Sequence, residues 1–175
     1  MPNLTEMLQC EAEDMYRVTA DLMQKVDGGD LGWKPATGSN WMTVGQLLKH
    51  LSEGCGGAIK GFVSGDWGLP AGVKMEDMKP EEMLPPAAKM PAVTGVQQAL
   101  DLLAEDKKLA RRYIAEAGEK NLFATQLAAP WGGPTQPLGV HLWHMIQHLG
   151  QHKGQLFYYL KLMGKPVHTG DLWGM

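Results

Sequence analysis

The chain has 175 residues, 44% of them apolar and 20% charged, with a formal net charge of -3 and a pI near 6.0. That length suits a single domain able to bury its own core, and the composition is globular rather than disordered. The acidic balance lacks the basic footprint of a nucleic-acid binder and any polybasic membrane patch, no apolar run reaches the length of a membrane span, and the polar opening MPNLTEMLQCEAED is unlike a secretory or transit leader.

Four segments carry a helical period, and none reads convincingly as a strand. The first spans about residues 4–26. Asn3 and Glu6 have capping-box spacing, Leu4, Leu8, Met15, Val18 and Leu22 return to one face, and Gly28-Gly29 supplies the stop. The second spans about 43–64. Thr43 and Gln46 repeat the cap, and Val44, Leu47, Leu48, Leu51, Cys55, Ile59 and Phe62 form a strong apolar stripe. The third spans about 94–117, with Thr94 and Gln97 at the same spacing and Gly118 as the C′ residue. The fourth starts near Leu138, after Pro137, and runs to about 163, before the Gly164-Lys165-Pro166 stop.

Four long helices predict an all-α antiparallel bundle filling residues 1–175 as one domain. The 65–93 connection, rich in Pro, Met and Gly, is longer than a compact bundle needs and carries one expected helical turn around 80–84. A lid over a binding site and a plain wrap over the bundle fit it equally well. Two cysteines, Cys10 and Cys55, are too few for a disulfide scaffold, so a reducing, cytoplasmic setting is expected.

The fourth helix holds four of the six histidines: His141, His144, His148 and His152. At roughly 100° per residue, spacings of three, four and four keep all of them in one narrow strip. His148 and His152 stand about 6 Å apart along the axis, close enough for both imidazoles to reach one ion. A third ligand must come from a facing element, and His50 is the one histidine on another helix, beside Leu47 and Leu51. Gly54, Gly57 and Gly61 continue its strip and leave room for a ligand or a closely approaching helix. A lone helical histidine is usually structural or solvated, and an i,i+4 pair is a weak signal. Four in one strip are harder to dismiss, because buried imidazoles need partners. His141 and His144 are surplus to a three-ligand site and are expected to line the pocket, to support the ligands, or to face solvent; His168 reads as surface.

Two stretches, WKPATGSNWMTVGQLLKHL (33–51) and HMIQHLGQHKGQLFYYLKLMG (144–164), resemble the DinB/YfiT-like superfamily. The first is similar to that family's tryptophan-proline loop leading into a histidine-bearing helix. The second is similar to its final helix, where an HxxxH pair precedes a basic residue, Gly and Gln, here His148, His152, Lys153, Gly154 and Gln155. The resemblance covers nearly the whole chain and implies a four-helix up-down-down-up bundle, often homodimeric. It implies one metal on His50, His148 and His152. It further implies thiol-dependent transfer or isomerisation with low-molecular-weight thiols such as bacillithiol, mycothiol or glutathione. The glycine-rich second helix and the Met-rich 65–93 segment depart from the pattern, and both are expected to border the pocket.

Three neutral imidazoles leave coordination positions for water or substrate. They suit zinc, nickel, copper or iron, of which zinc and nickel are the expected divalent ions. The ion would activate water, or hold a thiol cofactor as thiolate, toward a small-molecule substrate. Glu53 is a candidate base or supporting group against the blander role of a solvated carboxylate. Gln155 is a candidate hydrogen-bond partner near the site. Trp33, Trp41, Trp67, Trp131 and Trp143 are candidate pocket walls against the commoner role of packing. Cys55 has no basic sequence neighbour to lower its pKa and is expected to be structural. The competing classes are a metal-dependent transferase- or hydrolase-like enzyme, a non-catalytic metal-binding or sensor protein on the same fold, and histidines serving only structure in a bundle dimer.

Overall fold

The computed structural model describes residues 3–175, the side chains of Glu76 and Pro80 excepted. Helix α1 (Leu4–Met23) opens on the expected reciprocal cap. The Glu6 N–H donates to Asn3 Oδ1 at 2.9 Å, and the Asn3 N–H donates to the Glu6 carboxylate at 3.1 Å. It ends sooner than the sequence suggested, with Gln24 as its last cap, ahead of the two glycines. The Glu119 carboxylate accepts from the N–H groups of Leu4 and Thr5 at 3.2 and 3.0 Å. An acidic group there satisfies orphan donors and suits the positive end of the helix dipole.

The helix expected over 43–64 is two helices, α2 (Val44–Leu51) and α3 (Gly56–Ser64). The Thr43–Gln46 cap forms as expected. The break has a buried partner. The N–H groups of Gly56 and Gly57, freed at the start of α3, donate to the Asp106 carboxylate at 2.8 and 2.9 Å, and the Tyr16 hydroxyl donates to the same carboxylate at 2.6 Å. A Cβ at position 56 would stand 1.9 Å from the Asp106 carbonyl oxygen, so only glycine permits this approach. A Cβ at Gly61 would meet the Trp67 indole at 2.2 Å. Close packing therefore fills much of the small-residue strip.

Helix α4 (Pro80–Met83) is the short turn expected in the long connection. That connection lies along α2: Gln46 Nε2 donates to the carbonyls of Ala87 and Met90 at 2.7 and 2.8 Å, and the Ala87 N–H donates to Asn40 Oδ1 at 2.9 Å. Helix α5 (Val96–Ala124) runs past its expected end, since Gly118 (φ 69°, ψ 150°) interrupts it and the chain then resumes a helical path. The Thr94–Gln97 cap does not form. The helix starts at Val96, which puts Thr94 one residue too early; its N–H donates to Gln98 Oε1 at 2.8 Å, and Gln97 donates to Asp101.

Strands β1 (Gln126–Leu127) and β2 (Gln136–Pro137) pair antiparallel, a ribbon the sequence did not signal. Helix α6 (Leu138–Leu162) follows directly, and a tail helix α7 (Thr169–Trp173), also unforeseen, is capped by His168 Nδ1 accepting from the Gly170 N–H at 3.0 Å.

Three contacts fix the directions. The start of α1 meets the end of α5 through Glu119, so these two are antiparallel. The Val93 N–H, just before α5, donates to the Gly45 carbonyl at the start of α2, so α2 and α5 are parallel. Phe62 near the end of α3 stacks on His141 near the start of α6 at 4.6 Å, so α3 and α6 are antiparallel. The result is the all-α up-down-down-up bundle. Helix α1 and the α2–α3 pair occupy diagonal corners, each packed on both α5 and α6. Leu8, Leu22, Leu47, Leu48, Leu51, Ile59, Ile114, Leu142, Ile146 and Leu156 fill the core. Among the described residues no helix is long and apolar enough to cross a membrane.

Candidate metal centre

His50 sits in the last turn of α2, and His148 and His152 sit on successive turns of α6 where that helix packs on α2. The structure brings all three together. His50 Nε2 and His148 Nε2 are 3.1 Å apart, and the ring centroids lie 4.9 Å (50–148), 4.4 Å (50–152) and 4.6 Å (148–152) apart. One nitrogen from each ring falls within 4.8 Å of the others, and among the described residues no Asp, Glu or Cys joins the group.

Burial, followed by the proximity of the His152 ring, pushes the His148 imidazole down to about 4. Burial also brings His50 to about 4, with His152 and then His148 adding to the effect. Both rings are therefore neutral near pH 7, the form that offers a lone pair to a cation. Two nitrogens that each lie about 2.0–2.1 Å from one zinc, at angles between square and tetrahedral, stand roughly 2.8–3.4 Å apart. The observed 3.1 Å separation fits that range. The carbonyl end of α2 lies beside His50, and the dipole there favours positive charge. The space among His50, Leu51, Gly54, His148, Leu149 and His152 is too small for a water molecule. The three imidazoles together offer a donor set that suits a divalent ion.

The family model of the DinB superfamily matches residues 11–156, which include all three histidines and Gln155. The chain belongs to the DinB superfamily. No curated protein and no solved structure matches it.

Around this DinB histidine cluster the remaining candidates divide sharply. Gln155 is in contact: the His152 Nδ1 to Gln155 Oε1 distance is 2.8 Å. Gln155 Nε2 donates to the Tyr159 hydroxyl at 2.9 Å, and that hydroxyl donates to the Met42 carbonyl at 3.1 Å. Tyr159 was not a sequence candidate, although 148, 152, 155 and 159 keep one helical face. Trp33 and Trp41 pack edge-on against its ring at 5.2 and 6.2 Å, so these two tryptophans back the cluster from behind. Trp67 and Trp131 instead pack with Phe62, and Trp143 is exposed; no tryptophan lines the cavities at the histidines.

His141 and His144 stand apart from the triad. His141 is buried, stacked on Phe62 with Nε2 2.9 Å from the Leu127 carbonyl, and His144 is exposed. His168 is on the surface, as expected. Lys153 points away, donating to the Leu172 carbonyl at 2.8 Å. Glu53 pairs with Lys49 and is half-exposed. Cys55 is fully buried, and burial pushes its thiol far up, which suits structure and not nucleophilic attack.

Gly54 matters locally, because a Cβ there would lie 2.8 Å from the His50 carbonyl and 3.3 Å from the His148 ring. Next to the cluster, sharing His50 and Gly54, is an open cavity of about 140 Å³ walled by Lys49, Glu53, Met90 and Pro91. The 65–93 connection therefore does border the histidines, through Met90.

Proposed function

We propose that this DinB chain is a metal-dependent enzyme whose His50, His148 and His152 hold one divalent ion, zinc or nickel, beside a pocket for a small molecule. The convergence of three imidazoles from two helices, with the facing nitrogens of His50 and His148 3.1 Å apart, is the observation that carries this reading. Bound there, such an ion supplies Lewis acidity that brings a water or a low-molecular-weight thiol to its nucleophilic anion near neutral pH.

The chain's own residues do the rest. Three protein ligands leave coordination positions for the reacting groups. Met90 and Pro91 give the adjoining cavity an apolar wall, and the Lys49–Glu53 pair gives it a charged one. That cavity favours a transferase- or hydrolase-like enzyme over a sensor that only stores the ion, because a storage site needs no pocket beside it. Homodimer assembly, expected from the family, belongs to the same proposal.

Metal analysis of purified protein tests the reading. Zinc or nickel near one equivalent per chain is expected for the wild type, falling below about a tenth of an equivalent in His148→Ala. Wild-type protein that stays below that level after incubation with either ion overturns it. Turnover of a panel of thiols and electrophiles by the metal-loaded protein, lost in His148→Ala, separates the enzyme from the sensor.

A further inference from the structure

The chain from His152 through Gln155 and Tyr159 ends on an atom that can only accept. The Met42 carbonyl lies 3.1 Å from the Tyr159 hydroxyl, so the hydroxyl spends its single proton there. Tyr159 must then accept from Gln155, 2.9 Å away, which turns the amide NH₂ toward Tyr159 and the amide oxygen toward His152. An amide oxygen has no proton, so across the 2.8 Å contact His152 Nδ1 must be the donor. The direction of three hydrogen bonds is thus set from the far end.

We infer that Gln155 and Tyr159 are positioning residues that hold His152 as its Nδ1–H tautomer, with Nε2 bare and aimed at His50 and His148. This rests on the proposed metal site for its purpose but not for its geometry. The same chain acts as a strut. Met42 lies two residues before α2, the helix that carries His50, so the hydrogen bonds tie the α6 pair of histidines to the approach of the third. Trp33 and Trp41 pack against the Tyr159 ring and hold the strut in line. A partner of this kind fixes ring orientation and raises ligand basicity, and its removal typically costs about 10–100-fold in metal affinity.

The experiment has two independent readouts on wild type, Gln155→Ala, Gln155→Glu and Tyr159→Phe. The first is the ¹⁵N spectrum of the His152 ring in metal-free protein at neutral pH, which distinguishes the two tautomers. The second is zinc affinity by competition with a chelator. The wild type is expected to show the Nδ1–H form. Gln155→Ala is expected to show mixed tautomers and about 10–100-fold weaker zinc binding, with Gln155→Glu, which keeps the acceptor, restoring both. Tyr159→Phe, which frees the amide to turn, is expected to fall between, and it carries the test if Gln155→Ala does not fold. An Nε2–H ring in the wild type, or Gln155→Ala and Tyr159→Phe both indistinguishable from the wild type in tautomer and affinity, overturns the inference. If the wild type binds neither zinc nor nickel, the proposed function fails, and the spectrum still decides the tautomer.

Discussion

Toward α5, the break between α2 and α3 meets Asp106; toward α6, the neighbouring turn meets His148 and His152. Both clusters are polar and set into an apolar bundle, yet they are wired differently. At Asp106 every partner belongs to the chain: two backbone N–H groups and the Tyr16 hydroxyl converge on one carboxylate. Burial raises the Asp106 pKa, and those hydrogen bonds oppose the rise. At the histidines, like groups face one another, and each imidazole turns one ring nitrogen to the shared space. A cluster that satisfies itself is a joint. A cluster of lone pairs converging on one point suits a cation from outside. A buried polar group is thus read by whether its partners are complementary or redundant.

The sharpest way to break this contrast is Asp106→Ala. It would orphan the buried Gly56 N–H, the part-buried Gly57 N–H and a buried hydroxyl, each at up to about 1–3 kcal/mol. Urea unfolding is expected to show a loss of at least about 3 kcal/mol, with zinc content of the folded protein unchanged. A stable variant with an emptied metal site would reverse the roles assigned to the two clusters.

Gly54→Ala should do the opposite. The new Cβ crowds the His148 ring and the His50 carbonyl, so zinc affinity is expected to fall by about tenfold or more, with less stability lost than in Asp106→Ala. Chelator competition beside a urea curve would measure both.

The third test is pH dependence. His50 and His148 have folded values near 4 against an ordinary 6.5, so the unfolded chain binds more protons between those limits. The stability of metal-free protein should be fully present above about pH 6.5 and decline as pH falls toward 4. Melting curves in chelator should show that slope, and His50→Ala should flatten part of it. A slope of the opposite sign would mean that the rings are charged in the fold.

The contrast also marks what a single sequence reveals. The triad was legible because its ligands are scarce residues with a helical spacing: two on one strip of α6, and a third as the one histidine on another helix. The bundle was legible from four apolar stripes and their caps. The α2–α3 break was not, because its cause, Asp106, lies 50 residues away, and a glycine says only that something comes close. A signal existed nonetheless, since Asp106 interrupts the α5 stripe of Leu103, Ala110 and Tyr113, where an acid is out of place. The Thr94–Gln97 pairing failed by one residue of register, a shift that spacing alone does not resolve. The roles of His141 and His144 diverged although both share the strip with the ligands, because the stripe passes from the aromatic packing around Phe62 into solvent before it reaches the α2 crossing.

The two cysteines turn the joint into a clock. Cys10 is exposed and Cys55 is fully buried at the α2–α3 break, so an alkylating reagent meets the first at once and the second only when that region opens. The slow phase of thiol labelling therefore times the opening of the segment that sets His50 in place, without any introduced probe.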